Sequence, residues 1–248
     1  MEERVYRGGV VYMLPAPLGD EPPTLALTGA ALACIRGLRL FAVENARTSR
    51  RLLARIGMPV PIDELEFIVF DKRSDADLAL RIVRRVAEGA DLGYLSEAGA
   101  PGIADPGAQI AAAAHQLQVR VVPFGGPSSV MMLAMASGMT AQSFAFLGYL
   151  PAEPKERKLR IQQVEALALR EGQTQIFIET PYRNDALLEA LLRALKPTTC
   201  LCIATGLETE GGWLRTLPVV QWLQARPTLG KKPTIFAIGR LQQDARKR

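Results

Sequence analysis

Histidine and cysteine are scarce in this chain. His115 is the only histidine, and Cys34, Cys200 and Cys202 are the only cysteines among 248 residues. A zinc or haem site would have to be built from acidic ligands, and the acids show no suitable spacing, so no metal is expected. With a single imidazole, a Ser-His-Asp or Cys-His nucleophile lacks its parts, and His115 reads as packing on or capping its own helix. Cys200-Leu201-Cys202 lies in an apolar run that sets both thiols on one face of a strand, where they read as core. Long apolar runs are missing too: none reaches the ~18 residues of a membrane span. The opening MEERVYRGG carries acid where a secretory signal would carry only base, so the expected location is the cytoplasm, with no membrane partner. The patterns G-x-G-x-x-G and G-x-x-x-x-G-K-S/T do not match either glycine loop, which removes the residues of the usual dinucleotide and P-loop mechanisms.

What is present is an ordinary globular composition, 48% hydrophobic and 22% charged, in a chain long enough for two domains at ~150 residues each. The net charge of +5 favours a polyanionic partner and leaves small molecules open. Its excess sits in RTSRRLLAR (Arg47 to Arg55), KERKLR (Lys155 to Arg160) and the tail ARKR (Ala245 to Arg248). For each cluster the alternatives are a solvated helix face or frayed end, and a grip on phosphates.

In order, the chain alternates short apolar runs with helical stretches. Strands are expected at Val10–Leu14, Leu38–Val43, Glu66–Phe70, Asp91–Leu95 and Val119–Phe124. Helices are expected at Thr24–Arg36, from Asn45 to near Gly57, from a Ser74 cap to about Glu88, and after Asp105-Pro106. Such alternation means a mostly parallel sheet with right-handed crossovers. A change of pattern at Pro123 sets the expected boundary: an N-terminal α/β domain at 1–124, and a C-terminal α/β domain at 125–248 with a mixed sheet and flanking helices. The methionines at 131, 132 and 135 read as helix core.

One stretch stands out. Leu95 to Gly107, LSEAGAPGIADPG, is a strand end breaking into a glycine- and proline-punctuated loop that opens a helix, with Asp105 expected as its cap. Ligands of α/β sheets sit at such carboxyl ends, although a purely structural turn has the same composition. The loop holds no Lys or Arg but two carboxylates, Glu97 and Asp105, which repel phosphate. Hydroxyls, amines or a positive centre suit it better, and S-adenosylmethionine has all three.

Six motifs then occur in family order: APLGD (Ala16 to Asp20), LSEAGAPGIADPG, GGPSSVMMLAMASG (Gly125 to Gly138), FAFLGYLP (Phe144 to Pro151), FIETPYRN (Phe177 to Asn184) and PTIFAIG (Pro233 to Gly239). Together the chain resembles the tetrapyrrole methylase superfamily, and within it the branch that methylates a cytidine ribose 2′-hydroxyl of small-subunit ribosomal RNA. The resemblance implies a two-domain α/β fold, a homodimer, and S-adenosylmethionine in a cleft between the domains. By motif, Pro17, Leu18 and Gly19 would lie under the cofactor, with Glu97, Ala98, Gly99 and Ile103 on its other side. Ser128 and Ser129 would come from the second glycine loop. Thr180, Thr205, Gly206 and Leu207, with Pro233, Thr234 and Ile235, would be contacts from the second domain.

Transfer of methyl from a sulfonium needs positioning rather than metal, but a ribose hydroxyl must also lose a proton. Motif position offers Glu179, Tyr182, Arg183 and Lys155 for that work; the alternative for Glu179 and Arg183 is an ion pair across a helix start. The sequence departs from the RNA-modifying branch in Glu97, where Asp is common, in ETPYR for ESPHR, so that Tyr182 stands for a histidine, and in a shorter C-terminal end. Two other functions therefore stay open: a methyltransferase for a tetrapyrrole or other metabolite, and a cofactor-binding protein without turnover.

Overall fold

In the computed structural model, which describes residues 6–242, the chain forms two units, Met1–Ser128 and Ser129–Arg248. The basic tail at 245–248 lies outside the described residues.

Unit 1 runs β1 (Val10–Leu14), α1 (Pro23–Ala26), α2 (Gly29–Gly37), β2 (Leu40–Val43), α3 (Ala46–Ile56), β3 (Glu66–Val69), α4 (Ala76–Ala87), β4 (Leu92–Leu95), α5 (Gly107–Gln116) and β5 (Arg120–Pro123). Its strands pair in the order β3-β2-β4-β1-β5, every pairing parallel. A parallel sheet is covered on both faces, so its inner strands must be apolar throughout. The runs LFAV and LGYL are buried at every position. Leu40 and Ala42 pack with Ile82, Val83 and Ile110, while Phe41 and Val43 pack with Ile35, Leu53 and Ile56 on the opposite face.

The helix expected over Thr24–Arg36 is two helices. The first stops at Ala26, and the Thr28 hydroxyl accepts from the Ala31 amide at 3.2 Å to cap the second. A threonine oxygen competes with the backbone inside a helix and serves better at its start. Likewise Asp75, not Ser74, caps α4, accepting from the Leu78 amide at 2.8 Å, and Ser74 accepts instead from the Asp71 amide.

Unit 2 runs α6 (Ser129–Ala136), β6 (Phe144–Tyr149), α7 (Pro154–Glu171), β7 (Thr174–Glu179), α8 (Asn184–Ala194), β8 (Cys200–Thr205), β9 (Trp213–Pro218), α9 (Val219–Gln224) and β10 (Thr234–Gly239). The strand order is β6-β7-β10-β8-β9; β6 and β7 are parallel and the other pairings antiparallel, a mixed sheet as expected. One face carries Phe177, Phe236, Leu201 and Ile203 against α7, α8 and α9. The other carries Ile176, Ile235 and both Cys200 and Cys202 against α6. Buried Glu165 on α7 accepts from the Lys196 amide at 2.7 Å and the Thr199 hydroxyl at 2.5 Å, fastening α7 to the turn before β8.

The expected methionine core is overturned in part. The stripe of α6 packed on the sheet is Val130, Leu133 and Ala134, which leaves Met131 49% and Met135 79% exposed on the other side. His115 is exposed in the last turn of α5.

Candidate functional site

In unit 1 three loops converge at the carboxyl ends of β1, β4 and β5. The first two are joined as a short antiparallel bridge: the Ala16 amide donates to the Gly99 carbonyl at 3.0 Å, and the Gly99 amide donates back at 2.9 Å. Gly99 has φ +76°, in the left-handed region, and a Cβ there would stand 3.1 Å from Leu18 Cδ2 and 3.6 Å from the Pro127 carbonyl oxygen. Gly126, on the third loop, lies so close to β1 that a Cβ would meet Pro15 Cγ at 2.4 Å. Pro17 to Gly19, Glu97 to Gly99 and Pro127 to Ser128 are thus brought together, and Ile103 is exposed at the end of the second loop.

Asp105 holds that second loop in shape. Its carboxylate accepts from the Gly102 amide at 2.9 Å, the Gly107 amide at 2.7 Å and the Tyr94 hydroxyl at 3.1 Å. It therefore ties the helix entry to the loop, while Pro106 occupies the cap position expected of Asp105 itself. Burial, reinforced by the Asp105 charge, raises the Tyr94 phenol well above its usual range. Buried Ser96 donates its hydroxyl to the Gly99 carbonyl at 3.0 Å.

The sequence reading missed the residue that completes the rim. Glu44, at the end of β2, accepts from the Glu97 amide at 3.0 Å, and the Thr48 hydroxyl donates to the Glu97 carboxylate at 3.2 Å. Burial raises the Glu44 carboxyl, as does repulsion from Asp105, Glu97 and Asp71, and the Glu97 amide opposes the shift. The rim is accordingly acidic. Of the arginines on α3, Arg50 pairs with Asp63 at 2.7 Å, and Arg55 is turned to the carbonyls of Asp20 and Glu21 at 2.7 and 2.6 Å. Those two act as braces inside unit 1.

In unit 2 the remaining candidates gather at one end of the sheet. Glu179, Thr234 and Thr205 are register partners across β7, β10 and β8. The Glu179 side chain has no exposure; its Oε1 accepts from the Thr180 amide at 2.7 Å and from Arg183 Nη2 at 2.6 Å, and its Oε2 has no partner among the described residues. The ion pair across the helix start is therefore present. Thr234 Oγ1 lies 2.9 Å from Thr205 Oγ1 and accepts from the buried Asn184 amide group at 3.1 Å, so both threonine hydroxyls are committed within the fold. Gly206 donates its amide to the Pro233 carbonyl at 2.9 Å, Leu207 is half-buried, and Ile235 is core. Thr180, Tyr182 and Lys155 are exposed, and Ser129 opens α6.

Residues 10–210 match the family model of tetrapyrrole (corrin/porphyrin) methylases. The ribosomal RNA small subunit methyltransferase I of Vibrio cholerae is 31% identical over 186 residues, covering 75% of this chain and 60% of that protein. The protein of the same name from Escherichia coli O157:H7 is 27% identical over 215 residues, covering 87% of this chain and 71% of its own. This chain thus spans about 60% of the length of the V. cholerae relative. Among solved structures, the methyltransferase CobJ superposes with a TM-score of 0.62 at 16% identity, covering 94% of each chain. Uroporphyrin-III-C-methyltransferase from Thermus thermophilus does so with a TM-score of 0.56 at 18% identity, covering 94% of this chain and 93% of that one. At those identities the likeness is one of fold.

Proposed function

The chain belongs to the tetrapyrrole (corrin/porphyrin) methylase family, and from that premise we propose that it is an S-adenosylmethionine-dependent methyltransferase acting on a ribose 2′-hydroxyl of small-subunit ribosomal RNA. The observation that carries this reading is the bridged loop pair of β1 and β4, rich in backbone amides and rimmed by Glu97 and Glu44. That donor set fits the methyl donor: carboxylates attract an ammonium or a sulfonium and accept from ribose hydroxyls, and they disfavour a polyphosphate.

Gly19 and Ala98 would hold the donor by backbone, Gly99 by leaving room where a side chain would stand, Glu97 by charge, and Ser128 by its hydroxyl. When bound, S-adenosylmethionine supplies an activated methyl whose leaving group is a neutral thioether. The protein's remaining task is to handle the proton and developing charge on the acceptor oxygen. Buried Glu179 fixes Arg183, whose side chain stays 38% exposed, and a cation so held favours alkoxide character on a neighbouring hydroxyl, whose proton leaves to solvent as the methyl is transferred. In this reading Arg183 is the group that meets substrate and Glu179 positions it; Lys155 and Tyr182 serve the RNA rather than the proton. The resemblance to RNA-modifying proteins also supports a homodimer working in the cytoplasm, where ribosomes are assembled.

The test uses labelled methyl donor with small ribosomal subunits purified from cells with and without this protein. Label is expected only in RNA from the cells that lack it, and Arg183→Lys is expected to lower kcat about a hundredfold while donor affinity holds. Label entering precorrin intermediates and no RNA would overturn the assignment in favour of a small-molecule acceptor.

A further inference from the structure

Two tyrosines of unit 2 are exposed where a folded protein has reason to hide them. Tyr182 is 80% and Tyr149 54% exposed. They stand at one edge of the sheet, because β6 and β7 are parallel and Tyr149 is the register partner of Ile178, four residues before Tyr182. Both therefore lie at the carboxyl ends of neighbouring strands.

A cation lies against one of them, and the chain carries two more close to the other in sequence. Lys231 Nζ sits over the Tyr182 ring, 5.0 Å from its centroid. That lysine belongs to a loop fastened from beneath: the Asp185 carboxylate accepts from the Leu229 and Gly230 amides at 2.9 and 3.2 Å, and the Asn184 amide group donates to the Lys232 carbonyl at 2.7 Å. Beside Tyr149, the chain turns through Pro151 into α7, whose first turns carry exposed Lys155 and Lys158.

An aromatic ring with a cation on one side and water on the other has a free π-face to stack on, and every nucleobase has one to offer. We infer that the carboxyl edge of β6 and β7 is a binding surface for single-stranded RNA, with Tyr182 and Tyr149 stacking on bases and Lys231, Lys155 and Lys158 taking the adjoining phosphates. This names the surface by which the substrate of the proposed function would be gripped, and rests on that function only for the choice of RNA. Arg183, held in place by Glu179, is left for the acceptor oxygen.

The experiment measures fluorescence anisotropy of a labelled single-stranded RNA of about 12 nucleotides with the full chain, from about 50 to about 200 mM salt. The doubly substituted Tyr149→Ala, Tyr182→Ala protein is expected to bind about tenfold or more weakly with an unchanged salt slope, and the double Phe variant to bind as the parent does. Lys231→Gln is expected to lower the slope by about 0.7, the share of one phosphate contact on a single strand. Donor binding, followed by calorimetry, is expected to be the same in all of them. Equal RNA affinity in the double Ala variant and the parent would overturn the surface, even if methyl transfer to RNA were found. Loss of affinity in that variant with no transfer to any RNA would leave the surface standing and remove the proposed function instead.

Discussion

Replacing Asp105 by alanine removes three hydrogen bonds at once: those from the Gly102 and Gly107 amides and the one from the Tyr94 hydroxyl. The amide at the helix entry is worth about 1 kcal/mol, as for an N-cap. The Gly102 amide, bound to a carboxylate, adds about 1 kcal/mol. The Tyr94 hydroxyl belongs to a fully buried residue, and losing its partner costs a further 1 to 3 kcal/mol, roughly. D105A is thus expected to destabilise unit 1 by about 3 to 5 kcal/mol. In a Y94F background the same substitution is expected to cost about 1 to 3 kcal/mol less, because no buried hydroxyl is then orphaned. Native-state hydrogen exchange reads this directly: protection should fall most at Gly102 and Gly107, while β10 of unit 2 keeps its own. A loss below about 1 kcal/mol, or an equal loss in both backgrounds, would refute the role given to Asp105.

Other expectations follow from the same structure. Glu44 has a raised pKa, so its contribution to stability is present below its unfolded value and is lost as pH rises through the folded one. Glu44→Gln is therefore expected to be slightly more stable than the parent near pH 7, by less than about 1 kcal/mol given its partial exposure, and equal to it below about pH 4 in urea titrations. The same variant should bind the methyl donor more weakly by calorimetry. Glu165→Ala, which strands the Lys196 amide and the Thr199 hydroxyl, should cost about 2 to 3 kcal/mol and lower Tm by about 5 °C or more. Burial raises the thiols of both Cys34 and Cys202, that of Cys202 to about 11, but Cys34 is only half-buried, so maleimide near pH 8 should label Cys34 slowly in the native protein and reach buried Cys202 only after denaturation, as mass spectrometry of the peptides would record.

What could be read from the sequence, and what could not, divides along local and non-local physics. The loop from Leu95 to Gly107 was legible because glycine, proline and a capping acid are punctuation that acts within a few residues. The ion pair of Glu179 and Arg183 was legible for the same reason, being four residues apart at a helix start. Glu44 was not. Its importance comes from the insertion of β4 beside β2, which sets a carboxylate at position 44 against an amide at position 97, and no local pattern carries that pairing. The exposed methionines of α6 show a different limit. In VMMLAMA every helical face is apolar, so periodicity does not say which stripe meets the sheet. Thr28 was hidden inside an apolar period that continued across it, and only the cap geometry reveals the break.

The central claim is that the bridged, acid-rimmed loops of unit 1 accept a sulfonium nucleoside and reject a polyphosphate. Calorimetric titration of the full chain with S-adenosylmethionine and, separately, with ATP tests it most directly. The account predicts saturable binding of the first, weakened in Glu97→Gln, and none of the second. Tight binding of ATP with no heat from the methyl donor would contradict it.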